Sequence, residues 1–514
     1  MNGSEILVKT AAKAGVKYCF SNPGTTEIAV VSALDSVPGI KGVLGLFEGA
    51  CTGAADGYGR MTGKPAMTLL HLGPGMGYGL PNLHNARKAH TPVLNVIGEH
   101  ASWHRSADSP ITMDIDGLSN TVSGWQRTIN SAESISRDTA DAIAASLNGN
   151  VASLIFPTDF QFAEYSDDLI AEPQIAYSPV DAESIEKAVV QLTSKEECAL
   201  FLGGQALLER GIMAAARIKS KTDCDLISEC FPSRIERGRG LPLIDRIAYF
   251  PEMAIEMMAK YKTVIFIGAD EPVSFFGYEG GPSRILNEDQ RKLHIGTGDQ
   301  DVYEVLEALA DAVGAPGNVN DNSYDGYVKP ALPQGELNVE NAGIIISALQ
   351  PENAIIIDEA ITSSVGFYLQ PPNPSPHTIL SLTGGSLGVG IPCAIGAALA
   401  CPDRPVIGFQ GDGAAMYTIQ GLWTQAREGL NITTLICANR SYDIIKWEVA
   451  RSGNIEPGPN AQSLTDITNP EVNYVSISKG LGVPAVSVNT AESLIEEFNR
   501  AINEPGPHLI EMVL

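Results

Sequence analysis

The amino-acid sequence predicts an α/β protein of three doubly wound parallel-sheet domains, and three observations carry that prediction. Short apolar runs alternate with helical periodicity along the chain, the pattern of parallel sheets covered by helices on both faces. Two stretches interrupt the alternation, EPQIAYSPVDAES at 172–184 and GAPGNVNDNSYDGYVKPALPQG at 314–335; both are rich in turn-forming residues and read as linkers. A β-turn-α-β unit fills 406–439. The expected domains are 1–165, 183–313 and 336–514, each of ordinary domain size.

At 514 residues, with 44% hydrophobic and 18% charged residues, the chain is long enough for several buried cores and has a soluble globular composition. Its formal net charge of −26 argues against nucleic acid and anionic membrane surfaces as partners, since both need a basic patch. The eight cysteines stand in apolar runs without CxxC pairs, which suggests neither zinc nor a disulfide framework and fits a reducing cytoplasm. The first helix follows no basic leader and no apolar run is long enough to span a bilayer, so a cytoplasmic protein without a membrane anchor is expected.

The first block opens with a helix over 4–15 and the strand VKYCF, followed by the turn SNPGTTE and a helix. The strand GVLGLF leads into a helix of small residues, LFEGACTGAADGYGRMTG, with Glu48 at the strand end. PAMTLLHL is the next strand; a glycine-rich turn, a helix and the strands PVLNVIGE and SLIFPTDF complete the block. His71 closes a buried strand and faces the glycine turn, a suitable position for a proton relay. In the second block the strands CALFLGG, CDLISE, TVIFIGAD and KLHIGT lack charges in their centres, as strands buried on both faces do. NAIIIDEA, TILSLTG, VIGFQG, ITTLICAN and HLIEMVL are the strands of the third block.

Within that block VIGFQG ends at Gly411-Asp412-Gly413, a helical segment follows, and ITTLICAN ends at Asn439. Ends of parallel strands share one edge of the sheet, where ligands bind in open α/β folds, so Asp412 and Asn439 are expected to meet. One carboxylate, one amide oxygen and the backbone carbonyl of Ser441 make a half-shell for Mg²⁺, which takes oxygen ligands and shares them with phosphates. Gly411 and Gly413 allow close backbone approach, and the helix start at Ala414 offers free N–H groups. These residues describe a metal-diphosphate cradle.

The spacing of GDG, helix, strand and Asn resembles the thiamine diphosphate fingerprint of the family containing acetolactate synthase, benzoylformate decarboxylase and pyruvate decarboxylase. The resemblance extends over nearly the full length and implies pyrimidine-binding, middle and diphosphate-binding domains. It implies that Glu48, which opens a match at Ala50, Ala54, Ala55, Asp56, Gly57, Tyr58 and Arg60, hydrogen-bonds N1′ of the cofactor's aminopyrimidine and drives C2 deprotonation. GGSLGVGIPCAIGAALA gives Gly385 as acceptor of the 4′-amino hydrogen and Leu387 as the wedge that bends the cofactor, and DEAITSS gives Thr362 and Ser363 as diphosphate contacts. SNPGTTE is similar to the NPGS turn of the benzoylformate decarboxylase branch with Thr25 at its serine position, and His71 stands where that branch carries a catalytic histidine. His100 and His104 are lesser candidates for the cleft.

The chain departs from that branch in offering Phe275, Phe276 and Tyr278 where a second histidine is usual, in Ala414 and Ala415 after the GDG, and in Ala438 before Asn439. What the resemblance implies is decarboxylation of a small-molecule 2-oxo acid, giving an aldehyde or, by carboligation, an acyloin, with thiamine diphosphate and Mg²⁺ in a homodimer or homotetramer. FAD is not expected, because the glycine turns of the middle block are short and followed by acidic or apolar residues. The alternative weighed is an NAD-dependent oxidoreductase using GPGMGYG at 73–79 with Glu99 at the end of the next strand.

Overall fold

A computed structural model describes residues 1–164, 170–297, 300–319, 323–452 and 456–514. The expected domain limit at 165 and residues 320–322 of the second linker lie outside the described residues. The chain packs as two compact units, one of 1–175, 329–373 and 382–514, the other of 176–328 and 374–381.

In the first unit, β1 (Tyr18–Ser21), β2 (Lys41–Leu44), β3 (Ala66–His71), β4 (Val93–Glu99), β5 (Trp125–Thr128) and β6 (Val151–Pro157) form a parallel sheet of order β2-β1-β3-β4-β6-β5. Met67, Leu69, Val96, Leu154 and Phe156 are fully buried in its core. The second unit holds β7 (Cys198–Leu202), β8 (Asp225–Ser228), β9 (Ile235–Arg237), β10 (Asp245–Arg246), β11 (Thr263–Ile267) and β12 (Arg291–Ile295). Its parallel sheet runs β10-β8-β7-β11-β12. The sheet of the third block, again in the first unit, comprises β13 (Ala354–Glu359), β15 (Val406–Gly411), β16 (Ile432–Ala438), β17 (Ala485–Val488) and β18 (His508–Val513), parallel in the order β17-β18-β16-β15-β13. TILSLTG becomes β14 (His377–Ser381), which groups with the second unit and pairs antiparallel with β9.

The small residues after Glu48 serve packing. The helix Glu48–Thr62 lies against the helix Gly390–Ala400 so closely that a Cβ on Gly57 would overlap the Cys393 carbonyl, and one on Gly396 the Ala54 carbonyl. Asp56 and Arg60 form a buried ion pair at 2.6 Å on the same helix.

Two expectations are corrected locally. The glycine-rich stretch 73–79 is no turn: Leu72, at φ +52°, reverses the chain in one residue, and the helix Leu72–Lys88 already contains those glycines. Pro74 is tolerated because first-turn N–H groups have no intrahelical partner to lose. The segment after the GDG divides into Asp412–Ala415 and Gly421–Glu428, since the Thr418 hydroxyl donates to the Gly388 carbonyl at 2.8 Å and holds the chain out of helix between them. Strands β5 and β17 were not anticipated, because both are partly exposed and lack an apolar run.

Candidate active site

Glu48 is the first residue of its helix, after an extended Phe47. The residue is 7% exposed, and Asn22 Nδ2 donates to its Oε1 at 3.5 Å. Burial raises its pKa, and the N–H bonds it accepts from its helix and from Asn22 oppose the rise without cancelling it. On the neighbouring element, His71 ends β3 with Nδ1 2.9 Å from Glu27 Oε2 and 3.0 Å from the Thr26 hydroxyl. Glu27 is fully buried and also accepts the Gly24 N–H at 2.8 Å and the Thr26 hydroxyl. Nδ1 is thus occupied by the Glu27 carboxyl and the Thr26 hydroxyl, and Nε2 is left for other chemistry. The chain closes tightly around this ring: a Cβ on Gly24 would strike the imidazole, and one on Gly75 would stand 3.3 Å from His71 Cβ and 3.7 Å from Glu48 Oε1. Thr25 is exposed, and the hydroxyl bonded to His71 belongs to Thr26. His100 and His104 have partners of their own, His100 bonding Ser109 at 3.0 Å and stacking edge-on to His104.

The second cluster lies at the carboxyl edge of β15 and β16, where Gly411 is in register with Cys437 and both strands end together. Asp412, 3% exposed, accepts the Gly413 N–H on Oδ1 and the Arg440 N–H on Oδ2, both at 2.7 Å. Arg440 adopts φ +57°, which folds the Asn439–Ser441 loop back onto Asp412. Asn439 Oδ1 accepts the Ser441 N–H at 3.2 Å, and the Tyr474 hydroxyl donates to the Asp412 carbonyl at 2.9 Å. Burial raises the Asp412 pKa, against the lowering by its two backbone donors. Gly411 lies beside the Glu359 and Ala360 carbonyls; Gly413 leaves room for the Tyr442 ring, which a Cβ would overlap; Ala414 is buried. Thr362 is half-buried and Ser363 buried in the turn Ile361–Ser364 after β13, at the same edge. The donor set is a carboxylate and an amide oxygen on adjoining strand ends beside the Ser441 backbone, and this all-oxygen chemistry fits Mg²⁺ bound to a diphosphate.

The loop 384–390 is the third part. Its backbone is held by side chains on every side: His84 on the Gly384 carbonyl at 3.1 Å, Asn85 on the Ser386 carbonyl at 2.7 Å, and Asn82 on the Gly388 carbonyl at 3.1 Å. Gly385, at φ +71°, is exposed, and among the described residues its carbonyl has no hydrogen-bond partner. Leu387 is half-buried next to it. An unpartnered carbonyl beside an apolar side chain fits the aminopyrimidine contact that the resemblance implies.

The N-terminal thiamine pyrophosphate binding domain of thiamine pyrophosphate enzymes matches residues 1–121, and the C-terminal thiamine pyrophosphate binding domain matches 362–512. A Mycobacterium tuberculosis protein provisionally named as an acetolactate synthase large subunit is 44% identical over all of this chain and 99% of its own. The chain belongs to the thiamine pyrophosphate enzyme family. Benzoylformate decarboxylase of Pseudomonas aeruginosa is 27% identical over 97% of this chain and 96% of its own. Among solved structures, the thiamine diphosphate-dependent 4-hydroxybenzoylformate decarboxylase of Rhodococcus jostii superposes with a TM-score of 0.84 at 25% identity, covering 100% of this chain and 99% of that one. Nothing in these comparisons supports the NAD-dependent alternative, and the glycines it relied on lie inside a helix, Gly79 packing against Thr52 and Leu70.

Around the candidate residues the structure places Asn22, Thr26, Glu27, Asn82, Asn85, Glu359 and Tyr474, which the sequence alone did not single out. Glu27 and Glu359 stood inside the quoted SNPGTTE and DEAITSS, where a carboxylate beside a strand end was the available signal. Asn82 and Asn85 carry no local signal, since their partners are some 300 residues away in sequence.

Proposed function

We propose that the protein binds thiamine diphosphate with Mg²⁺ and decarboxylates a small 2-oxo acid, releasing an aldehyde or joining the remaining acyl unit to a second carbonyl. The observation that carries this reading is the buried Glu48 at the start of its helix, beyond the strand that ends at Leu44 and close to His71, with burial favouring the protonated form. Bound thiamine diphosphate supplies a carbon nucleophile and an electron sink for the carbanion left when CO₂ departs.

The residues of the chain then have distinct tasks. Asp412, Asn439 and the Ser441 carbonyl hold the cation, Gly411, Gly413, Ala414, Thr362 and Ser363 line the diphosphate, and Gly385 with Leu387 orients the ring system. Glu48 holds a proton at the pyrimidine N1′, which a carboxyl of raised pKa does near neutral pH. His71, fixed by Glu27 through Nδ1, delivers or accepts a proton at Nε2, and Thr26 with the exposed Thr25 completes that turn.

Three domains with limits near 165, 183–313 and 336, a homodimer or dimer of dimers as the working unit, cytoplasmic location and the absence of FAD belong to the same proposal. No described helix is long and apolar enough to cross a membrane, and the short glycine turns of the second unit support the flavin-free reading. A panel of 2-oxo acids assayed with thiamine diphosphate and Mg²⁺ for CO₂ and for ligation product tests it. Turnover of at least one acid is expected, and inertness toward the whole panel by cofactor-loaded protein contradicts it.

A further inference from the structure

Glu359, the last residue of β13, has no task in the mechanism above, yet its carboxylate accepts three backbone N–H groups. It is 1% exposed. Oε1 accepts the N–H of Gly388 at 2.6 Å and of Val389 at 3.2 Å, and Oε2 accepts the N–H of Gly390 at 2.7 Å. Three successive backbone donors at the start of the helix Gly390–Ala400 therefore converge on one side chain. The next strand supports the same point: Gln410 is in register with Glu359, is fully buried, and lies so close under Gly390 that a Cβ there would overlap its amide. Neither end of that amide has a partner among the described residues. The seat beneath the loop is thus polar and buried, an arrangement that costs stability unless it serves something else.

We propose that Glu359 is a positioning residue for the cofactor, its carboxylate pinning Gly388–Gly390 so that the Gly385 carbonyl and the Leu387 side chain are presented at fixed height to the aminopyrimidine. This rests on the family site described above. The asparagines hold the loop at both backbone groups of Ser386 and at the Gly388 carbonyl, and Glu359 holds the N–H groups of Gly388–Gly390. Removing the charge loosens only those N–H groups, so the loop stays folded but its exposed segment shifts.

The cost of this device separates it from a purely structural role. Burial pushes the Glu359 pKa up to about 7, partly countered by the three N–H groups. The folded protein then binds one more proton than the unfolded chain between the ordinary carboxylate range and pH 7, so ionising Glu359 lowers stability as pH rises through that interval. The groups facing it are Asp358 on its own strand and Cys393 on the opposing helix, whose thiol burial pushes up to about 12 and keeps neutral throughout; β15 presents only the uncharged Gln410.

The test compares wild type, Glu359→Gln and Glu359→Asp as full chains, measuring thiamine diphosphate affinity by calorimetry at saturating MgCl₂ and the melting temperature without cofactor at pH 8. Expected for Glu359→Gln is affinity weakened at least tenfold with a melting temperature equal to or above wild type. For Glu359→Asp, which keeps the charge but withdraws it by one methylene, an intermediate affinity is expected. Affinity within twofold of wild type in both variants overturns the proposal, as does a loss of affinity accompanied by an equal loss of melting temperature, or failure of both to fold. Wild-type protein that binds no thiamine diphosphate refutes the functional reading itself, which is a separate outcome.

Discussion

At the scale of single residues, the proposed reading divides the chemistry between the two carboxylates Glu48 and Asp412, and each has its own expected phenotype. Glu48→Gln keeps shape and burial but cannot exchange a proton, so it is expected to bind cofactor with near wild-type affinity while C2–H exchange, followed by NMR after acid quench, slows by a factor on the order of a hundred or more. Its burial-raised pKa adds a stability signature. The folded state holds a proton that the unfolded chain releases at lower pH, so ionised Glu48 lowers stability above the ordinary carboxylate range. The Gln variant should melt at or above wild type at pH 7.5, with the difference closing as pH falls toward that range. Asp412→Ala removes the one charged oxygen donor from the edge of β15 and should abolish Mg²⁺-dependent retention of cofactor through gel filtration. Glu27→Gln, which leaves the His71 ring in place but replaces its carboxyl anchor at 2.9 Å by an amide, is expected to lower kcat roughly ten- to a hundredfold with little change in KM. An unchanged kcat would remove Glu27 from the proton-relay assignment.

At the scale of elements, the legible parts are those with a strong local signal. The central strands announced themselves as charge-free runs, and the coincidence of Asp412 and Asn439 at one sheet edge followed from two such runs joined by a right-length connection. Strands β5 and β17 escaped because their side chains are mixed and partly exposed, and the early start of the expected helix, at Leu72, escaped because a glycine-rich start looks like a turn until Leu72 is seen to make the reversal alone. Site residues divided in the same way. Glu48 and Asp412 sit in dense local motifs, whereas Glu27 and Glu359 gain meaning only from His71 and Gly388–Gly390, contacts formed between distant segments. The helix pair Glu48–Thr62 and Gly390–Ala400 gives an element-scale test. Gly57→Ala would force its new methyl into the Cys393 backbone, and overpacking of this kind costs about 1–3 kcal/mol. A lower melting temperature is expected in that variant, together with weakened cofactor binding, because the same helix positions Glu48 at its start.

At the scale of the whole molecule, the candidate residues Glu48 and Asp412 stand beside different sheets far apart in sequence and share no hydrogen-bond partner among the described residues. On the proposed reading they combine across a subunit boundary. Mixing inactive Glu48→Gln subunits with inactive Asp412→Ala subunits should then restore part of the activity, since one shared site would carry both intact residues; no recovery in proven heterodimers would mean that each chain builds its own site. The purified protein is expected to be colourless, and a stoichiometric flavin band would move it toward the flavin-containing members of the family. The central claim, that buried Glu48 and the Asp412 cradle together run thiamine diphosphate-dependent decarboxylation, is tested most directly by CO₂ release from a panel of 2-oxo acids using wild type and Glu48→Gln, each loaded with thiamine diphosphate and Mg²⁺. Release by wild type that depends on both cofactors and collapses in Glu48→Gln is the expected result; equal release by the two proteins, or none by a fully loaded wild type, would contradict it.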